Sequence, residues 1–235
     1  MAAREVEMYT NVNLAAPIGA LLFLGTAFLI VCLLLLLVFS LITKRFRLTK
    51  FGALAIALMG ALYLSLLLLF SWRSNEQVLA RGEEKHFCEL DCHLAYSILD
   101  AQTTKMLGTA PNQLSATGLF RVIKIKTRFD EKTISPTRGD SLLYPNSRAL
   151  VVVDAQGKEY LPSAEAEGLL RNMNEAGKPF TTPLRPGETY QTTVVFDLPA
   201  NIQSPTLLVH EGESETRFVI GHENSLLHQK TRFQI

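Results

Sequence analysis

The stretches LLFLGTAFLIVCLLLLLVFSLI (Leu21–Ile42) and FGALAIALMGALYLSLLLLFSW (Phe51–Trp72) decide the architecture. Each is 22 residues long, and neither holds a charged side chain. At about 1.5 Å per residue, either extends about 33 Å as a helix, enough to cross a hydrocarbon core of about 30 Å. A single soluble core does not need two such runs in succession. The first is too long for the apolar part of a cleaved signal peptide, and the second follows at once. The expected organisation is a short tail over 1–16 and two transmembrane helices within 17–72. A stalk follows over 73–84, then a β domain over 85–235.

The segment joining the runs carries Lys44, Arg45, Arg47 and Lys50, four basic residues in seven. Basic loops stay on the cytoplasmic side, which places both termini outside. Arg73, Arg81 and Lys85 also lie near the second run, but long domains cross largely regardless of charge. Trp72 and Tyr63 suit the membrane interface. Neither run holds the ionisable residue that transport and proton relays use, so the hairpin reads as an anchor. Ala53, Ala57, Ala61 and Ser65 form a stripe of small residues every fourth position. Gly19, Ala20, Gly25 and Ala27 offer similar openings in the first run. Such stripes let helix backbones approach closely. The expectation is that the two helices of one hairpin pack through the stripe; the other reading is a dimerisation face.

Arg73 to Ile235 holds 18 basic and 20 acidic residues, net −2. A nucleic-acid partner would need a basic face, and none is expected. Past a polar stretch the sequence alternates. From His86 to Ile98, Cys88, Leu90, Cys92, Leu94, Tyr96 and Ile98 fall on one side, which predicts a half-buried strand. Further strands are predicted over Leu119–Phe129, Leu150–Asp154, Thr189–Asp197, Thr206–Glu211, Arg217–Ile220 and, more weakly, Leu226–Phe233. Turn signals lie between them at 154–157, Pro186-Gly187 and Pro199-Ala200-Asn201. Ser163 is placed to cap one short helix over Ala164–Asn174, ending near Gly177. About seven short strands punctuated in this way predict a β-sandwich.

Three motifs carry a family resemblance: Asp154-Ala-Gln-Gly157-Lys-Glu-Tyr160, Leu184-Arg-Pro186-Gly187-Glu188 and Val195-Phe196-Asp197-Leu198-Pro199. Their order resembles the telokin-like, immunoglobulin-related domain of bacterial lipoproteins and membrane-anchored envelope proteins, over residues 85–211. The resemblance implies an all-β immunoglobulin-like sandwich outside the cytoplasm of a bacterium, on the cell membrane, and no catalytic residues. The two-helix anchor and the cysteine pair depart from that pattern.

One cluster could carry chemistry: His86-Phe-Cys88-Glu-Leu-Asp-Cys92-His93. Four readings stay open. The cysteines are buried core thiols. They form a Cys88–Cys92 disulfide, against which four residues of extended strand hold the Cα atoms about 13 Å apart. With His86 and His93 they bind copper or zinc. Or they attach haem, although Cys88-x-x-x-Cys92-His93 is one residue longer than the usual attachment motif. The spacing resembles the dicopper loop of cytochrome oxidase subunit II, but here the pair opens the domain, and His93 and Met106 stand at the wrong spacing. Cys32 is a small side chain in the first run. His210, His222 and His228 read as surface residues. No nucleophile elbow, zinc-protease motif, phosphate-binding loop or EF-hand is present in the sequence. The expected function is a non-enzymatic binding or structural module with no cofactor, its partners the bilayer and another envelope protein or itself. The alternative is a metal-binding or electron-transfer protein.

Overall fold

The computed structural model describes residues 9–10, 15–87, 93–133, 139–212 and 215–235, so Cys88 and Cys92 lie outside the described residues. The chain divides into two compact units. One comprises Met1–Asn11, Glu76–Gly212 and Lys230–Ile235; the other comprises Val12–Asn75 and Glu213–Gln229.

The second unit holds two long helices, α1 (Ala15–Ile42) and α2 (Phe46–Trp72). Because α2 begins at Phe46, Arg47 and Lys50 sit on its first turns. Ser40 Oγ and Thr49 Oγ1 meet at 2.8 Å where the helices turn back on each other. The less exposed residues of α1 include Gly19, Phe23, Thr26, Ile30, Leu33, Leu37 and Ser40, and those of α2 include Thr49, Gly52, Ile56, Met59, Tyr63 and Leu67. Their spacing of three and four is that of a seam between two helices packed at a shallow angle. Ala53, Ala57, Ala61 and Ser65 are all exposed. The hairpin therefore does not close through the small stripe. A four-residue stripe and a heptad seam run along different faces of one helix, and the heptad seam follows the partner. Ala57→Leu should accordingly leave the thermal stability of the purified protein in detergent unchanged to within about 0.5 kcal/mol. A clear loss would put the stripe in an interface.

The first unit contains two five-stranded sheets. Sheet A has the order β1-β3-β4-β5-β8, with β1 Tyr9–Thr10, β3 Lys85–Phe87, β4 Leu94–Thr109, β5 Asn112–Phe129 and β8 Thr189–Leu198. Sheet B has the order β2-β10-β9-β6-β7, with β2 Gln77–Leu79, β6 Arg148–Val153, β7 Glu159–Tyr160, β9 Thr206–Glu211 and β10 Thr231–Gln234. Most neighbours run antiparallel; β1 on β3 and β2 on β10 are parallel. The sequence explains the strands. In β5, Ile123, Ile125, Thr127 and Phe129 are buried, while Lys124, Lys126 and Arg128 between them are not. The inner faces meet in one core, with Phe87, Tyr96, Ile98, Ile123, Phe129 and Phe196 from sheet A against Leu79, Leu150, Val152, Leu207, Val209 and Phe233 from sheet B. One short helix, α3 (Ala164–Asn172), packs Ala166 and Leu170 on Phe120 and Val195 of sheet A. Ser163 caps it by accepting from the Ala166 N–H at 3.3 Å. The architecture is two long apolar helices plus a mixed-sheet β-sandwich with one short helix.

Several local expectations differ from what is observed. The strand expected over His86–Ile98 is two strands: β3 and β4 are antiparallel, with Phe87 opposite Leu94. Gln77–Leu79 of the expected stalk is a strand of sheet B. Arg217–Ile220 is no strand; a 3-10 turn occupies Glu215–Phe218. Of the last strand only Thr231–Gln234 forms. The boundaries also shift, because 76–84 belongs with the sandwich and 213–229 with the helices. Apolar alternation marks a face that is covered, but it does not say which element covers it.

The motif residues have structural jobs. Asp154 Oδ1 accepts the N–H groups of Gln156 and Lys158, both at 2.9 Å, and its Oδ2 accepts the Tyr160 hydroxyl at 3.1 Å. Gly187 takes φ +78° in its turn, as the third residue of a type II turn requires, and Glu188 accepts the Arg185 N–H at 2.8 Å. Asp197 accepts the N–H groups of Thr117 and Gly118 at 2.7 and 2.9 Å, where the β4–β5 ladder shifts register.

Candidate functional site

Strands β3, β4 and β5 bring His86, Ala95 and Arg128 into register across sheet A. Their neighbours Phe87, Leu94, Tyr96 and Phe129 point into the core, so by alternation this trio stands on the opposite face. Asp130 follows directly after β5, and Glu84 directly precedes β3. The result is a cluster of four polar side chains from β3 and β5 and the residues next to them, gathered across Ala95 of β4. The Arg128 guanidinium donates to Glu84 Oε1 and Oε2 at 2.9 and 2.6 Å, and to Asp130 Oδ1 at 3.0 Å. His86 Nε2 lies 3.1 Å from Asp130 Oδ2. The Lys132 N–H donates to Asp130 Oδ1 at 3.1 Å. His86 is 3% exposed and Asp130 3%. His86 Nδ1 is buried, without a hydrogen-bond partner among the described residues.

Electrostatics follow from this geometry. Burial would raise the Asp130 carboxyl. The hydrogen bonds from Arg128, Lys132 N–H and His86 outweigh that and hold it down to about 2. The bidentate bond from Arg128 lowers Glu84 in the same way, against its partial burial. Arg128 is in turn raised, chiefly by Glu84.

Glu84, His86 and Asp130 can offer one ligand atom each within 4.8 Å of one another. Two oxygens and an imidazole nitrogen would suit a borderline or hard cation. Arg128 donates to both carboxylates, so the two acids share a single cation in one ion-pair network. Of the four sequence candidates, Cys88 and Cys92 lie outside the described residues. His86 belongs to the cluster, and the His93 ring stacks on Phe129 at 5.1 Å between centroids. The other histidines make local contacts: His210 Nδ1 meets Glu211 O at 2.8 Å, Asn224 N–H donates to His222 Nδ1 at 3.0 Å, and His228 Nδ1 meets Gln229 O at 2.6 Å.

A second polar feature lies inside the sandwich and has no sequence signal beyond charge. Lys85, 1% exposed, sends Nζ to Val209 O at 2.8 Å and Thr231 O at 2.9 Å. The ammonium also stands 5.0 Å from the Phe87 ring centre. Arg148, with its side chain fully buried, lies 4.5 Å from the same ring and 5.6 Å from that of Tyr96. It pairs with Glu211 at 3.8 Å. Two buried cations thus flank one aromatic ring. Cation–π contact gives each a partner that no motif would reveal.

No family model and no curated protein matches the sequence. Similar solved structures include a conserved hypothetical protein from Bacillus anthracis, 12% identical, TM-score 0.38, covering 56% of this chain and 87% of that one. A secreted protein from Mycobacterium tuberculosis is 10% identical, TM-score 0.41, covering 69% of this chain and 98% of its own. An uncharacterized β-sandwich protein from Clostridium difficile is 8% identical, TM-score 0.35, covering 69% and 96%. Similarity at this level assigns no activity.

Proposed function

We propose that this chain is a membrane-anchored, extracytoplasmic binding or structural module of a bacterial envelope, without catalytic activity. One observation carries the reading. Helices of 28 and 27 residues expose their apolar side chains almost throughout, with Leu21 at 71%, Phe28 at 68%, Leu35 at 66% and Phe51 at 69%. A long helix in a soluble protein buries an apolar stripe; one that is apolar all round and exposed all round is suited to lipid. The basic residues at the hairpin turn orient it with the turn in the cytoplasm. The resemblance of the Asp154, Gly187 and Asp197 motifs to the telokin-like domain agrees with an extracytoplasmic sandwich, and in this chain those residues make turn and ladder contacts. A reporter active only in the cytoplasm, fused after Ile235, should be silent in a bacterial host. An active fusion would overturn the orientation.

A second reading is a metal protein using Cys88, Cys92, His86 and His93; what favours it is His86, whose ring nitrogen stands within 4.8 Å of a ligand atom of Glu84 and of Asp130. Elemental analysis of the full-length protein decides it: a stoichiometric copper or zinc ion, lost in His86→Ala, would put this reading first.

A further inference from the structure

Residues 213–229 leave the run of sandwich strands between β9 and β10 and form one compact unit with the two long helices. Tyr63 of α2 donates its hydroxyl to Phe218 O at 2.5 Å, and the Tyr63 ring lies 6.3 Å from that of Phe23 in α1. Gly19 of α1 faces the Ile220 backbone so closely that a Cβ there would overlap the Ile220 carbonyl. Gln229 N–H donates to Ser74 Oγ at 2.8 Å. The segment buries Ile220, Glu223 and Ser225, yet turns three large apolar side chains outward: Phe218 at 50%, Leu226 at 49% and Leu227 at 71% exposure. Leu226 N–H bonds to Arg217 O at 3.0 Å, which brings these apolar tips together beside the exposed Arg217. Leu227 is held at φ +62°, a region that costs a side-chain-bearing residue energy. A strained backbone that keeps a leucine pointing outward is costly in water and useful against an apolar phase.

We propose that the segment 215–229 is seated in the bilayer at the boundary opposite the basic turn, with Phe218, Leu226 and Leu227 among the lipid acyl chains. The proposal rests on reading α1 and α2 as spans. Depth supports it. Tyr63 stands about 20 Å along the helix from Lys50, and Gly19 about 34 Å from Ile42, which brackets the far edge of a hydrocarbon core of about 30 Å. Phe218, whose carbonyl accepts from Tyr63, stands beside apolar residues of α1 and α2. Backbone polar groups at that depth need internal partners. The segment supplies them: Val219 N–H to Thr216 O, His222 N–H to Val219 O, Ser225 N–H to His222 O and His228 N–H to Ser225 O, all within 3.2 Å. Arg217 beside the tips suits a headgroup phosphate.

Trp72 is the chain's one tryptophan, so a Trp72→Phe background can carry a single reporter. The full-length protein is placed in phosphatidylcholine vesicles whose acyl chains are brominated either near the headgroup or near the chain end. Leu227→Trp should emit blue-shifted light and lose intensity, more to shallow than to deep bromine. Val31→Trp, midway along α1, should lose more to deep bromine, and Tyr144→Trp in the sandwich should lose nothing. Leu226→Trp repeats the test should Leu227→Trp fail to fold. If Val31→Trp is quenched while the segment reporters match Tyr144→Trp, the proposal is overturned and the spans stand. A blue shift without bromine quenching means that protein, such as a second copy, covers the tips, and also overturns it. An unquenched Val31→Trp overturns the spans and the proposal together.

Discussion

Lys85→Met should destabilise the sandwich by about 2–4 kcal/mol, a loss visible as a lower denaturant midpoint of the full-length protein in detergent. The β9–β10 ladder pairs Leu207 with Phe233 and Thr206 with Gln234. It stops two residues short of Val209 and Thr231, whose carbonyls the Lys85 ammonium gathers instead. Methionine keeps the bulk of the stem but donates nothing, so the buried Val209 carbonyl and the half-buried Thr231 carbonyl lose that partner. Lys105→Met is the control. Lys105 Nζ also collects carbonyls, those of Ala116 at 2.7 Å and Gly118 at 2.8 Å. It does so at the surface, where water takes its place, and the cost should stay below about 1 kcal/mol. Equal losses in the two variants would refute a buried role for Lys85.

Arg128→Met should cost about 2–3 kcal/mol at neutral pH, because it strips Glu84 and the buried Asp130 of their shared cation. The same network makes the wild type sensitive to acid. A carboxyl whose pKa is lower in the folded state stabilises above its unfolded value and loses that contribution as pH falls through its folded value. For Asp130, held to about 2, the contribution is complete above about pH 5 and is lost as pH falls from about 4 towards 2. It is worth about 2 kcal/mol in the wild type. Glu84, also lowered, titrates in the same direction. Unfolding measured at pH 7 and pH 3 should show a smaller acid loss in Arg128→Met than in the wild type. An acid loss as steep in the variant would show that Arg128 does not hold these carboxyls down.

The long helices were legible because length and apolarity are local: a run of 22 residues without charge leaves few alternatives. The Thr206–Glu211 strand, the Ser163 cap and the turns at Asp154 and Gly187 were legible for the same reason, since alternation, capping and positive φ are settled within a few residues. Tertiary structure alone decided the rest. It decided that the helices meet along Gly19–Ser40 and Thr49–Leu67 rather than along Ala53, Ala57, Ala61 and Ser65, because the packed face depends on the partner and not only on residue size. It turned one alternating run into β3 and β4 and carried Glu213–Gln229 to the helices, because alternation marks a covered face without naming its cover. It placed Lys85 and Arg148 in the core, where carbonyls distant in sequence around Lys85 and the Phe87 and Tyr96 rings around Arg148 offset the desolvation of a charge that no local pattern would bury.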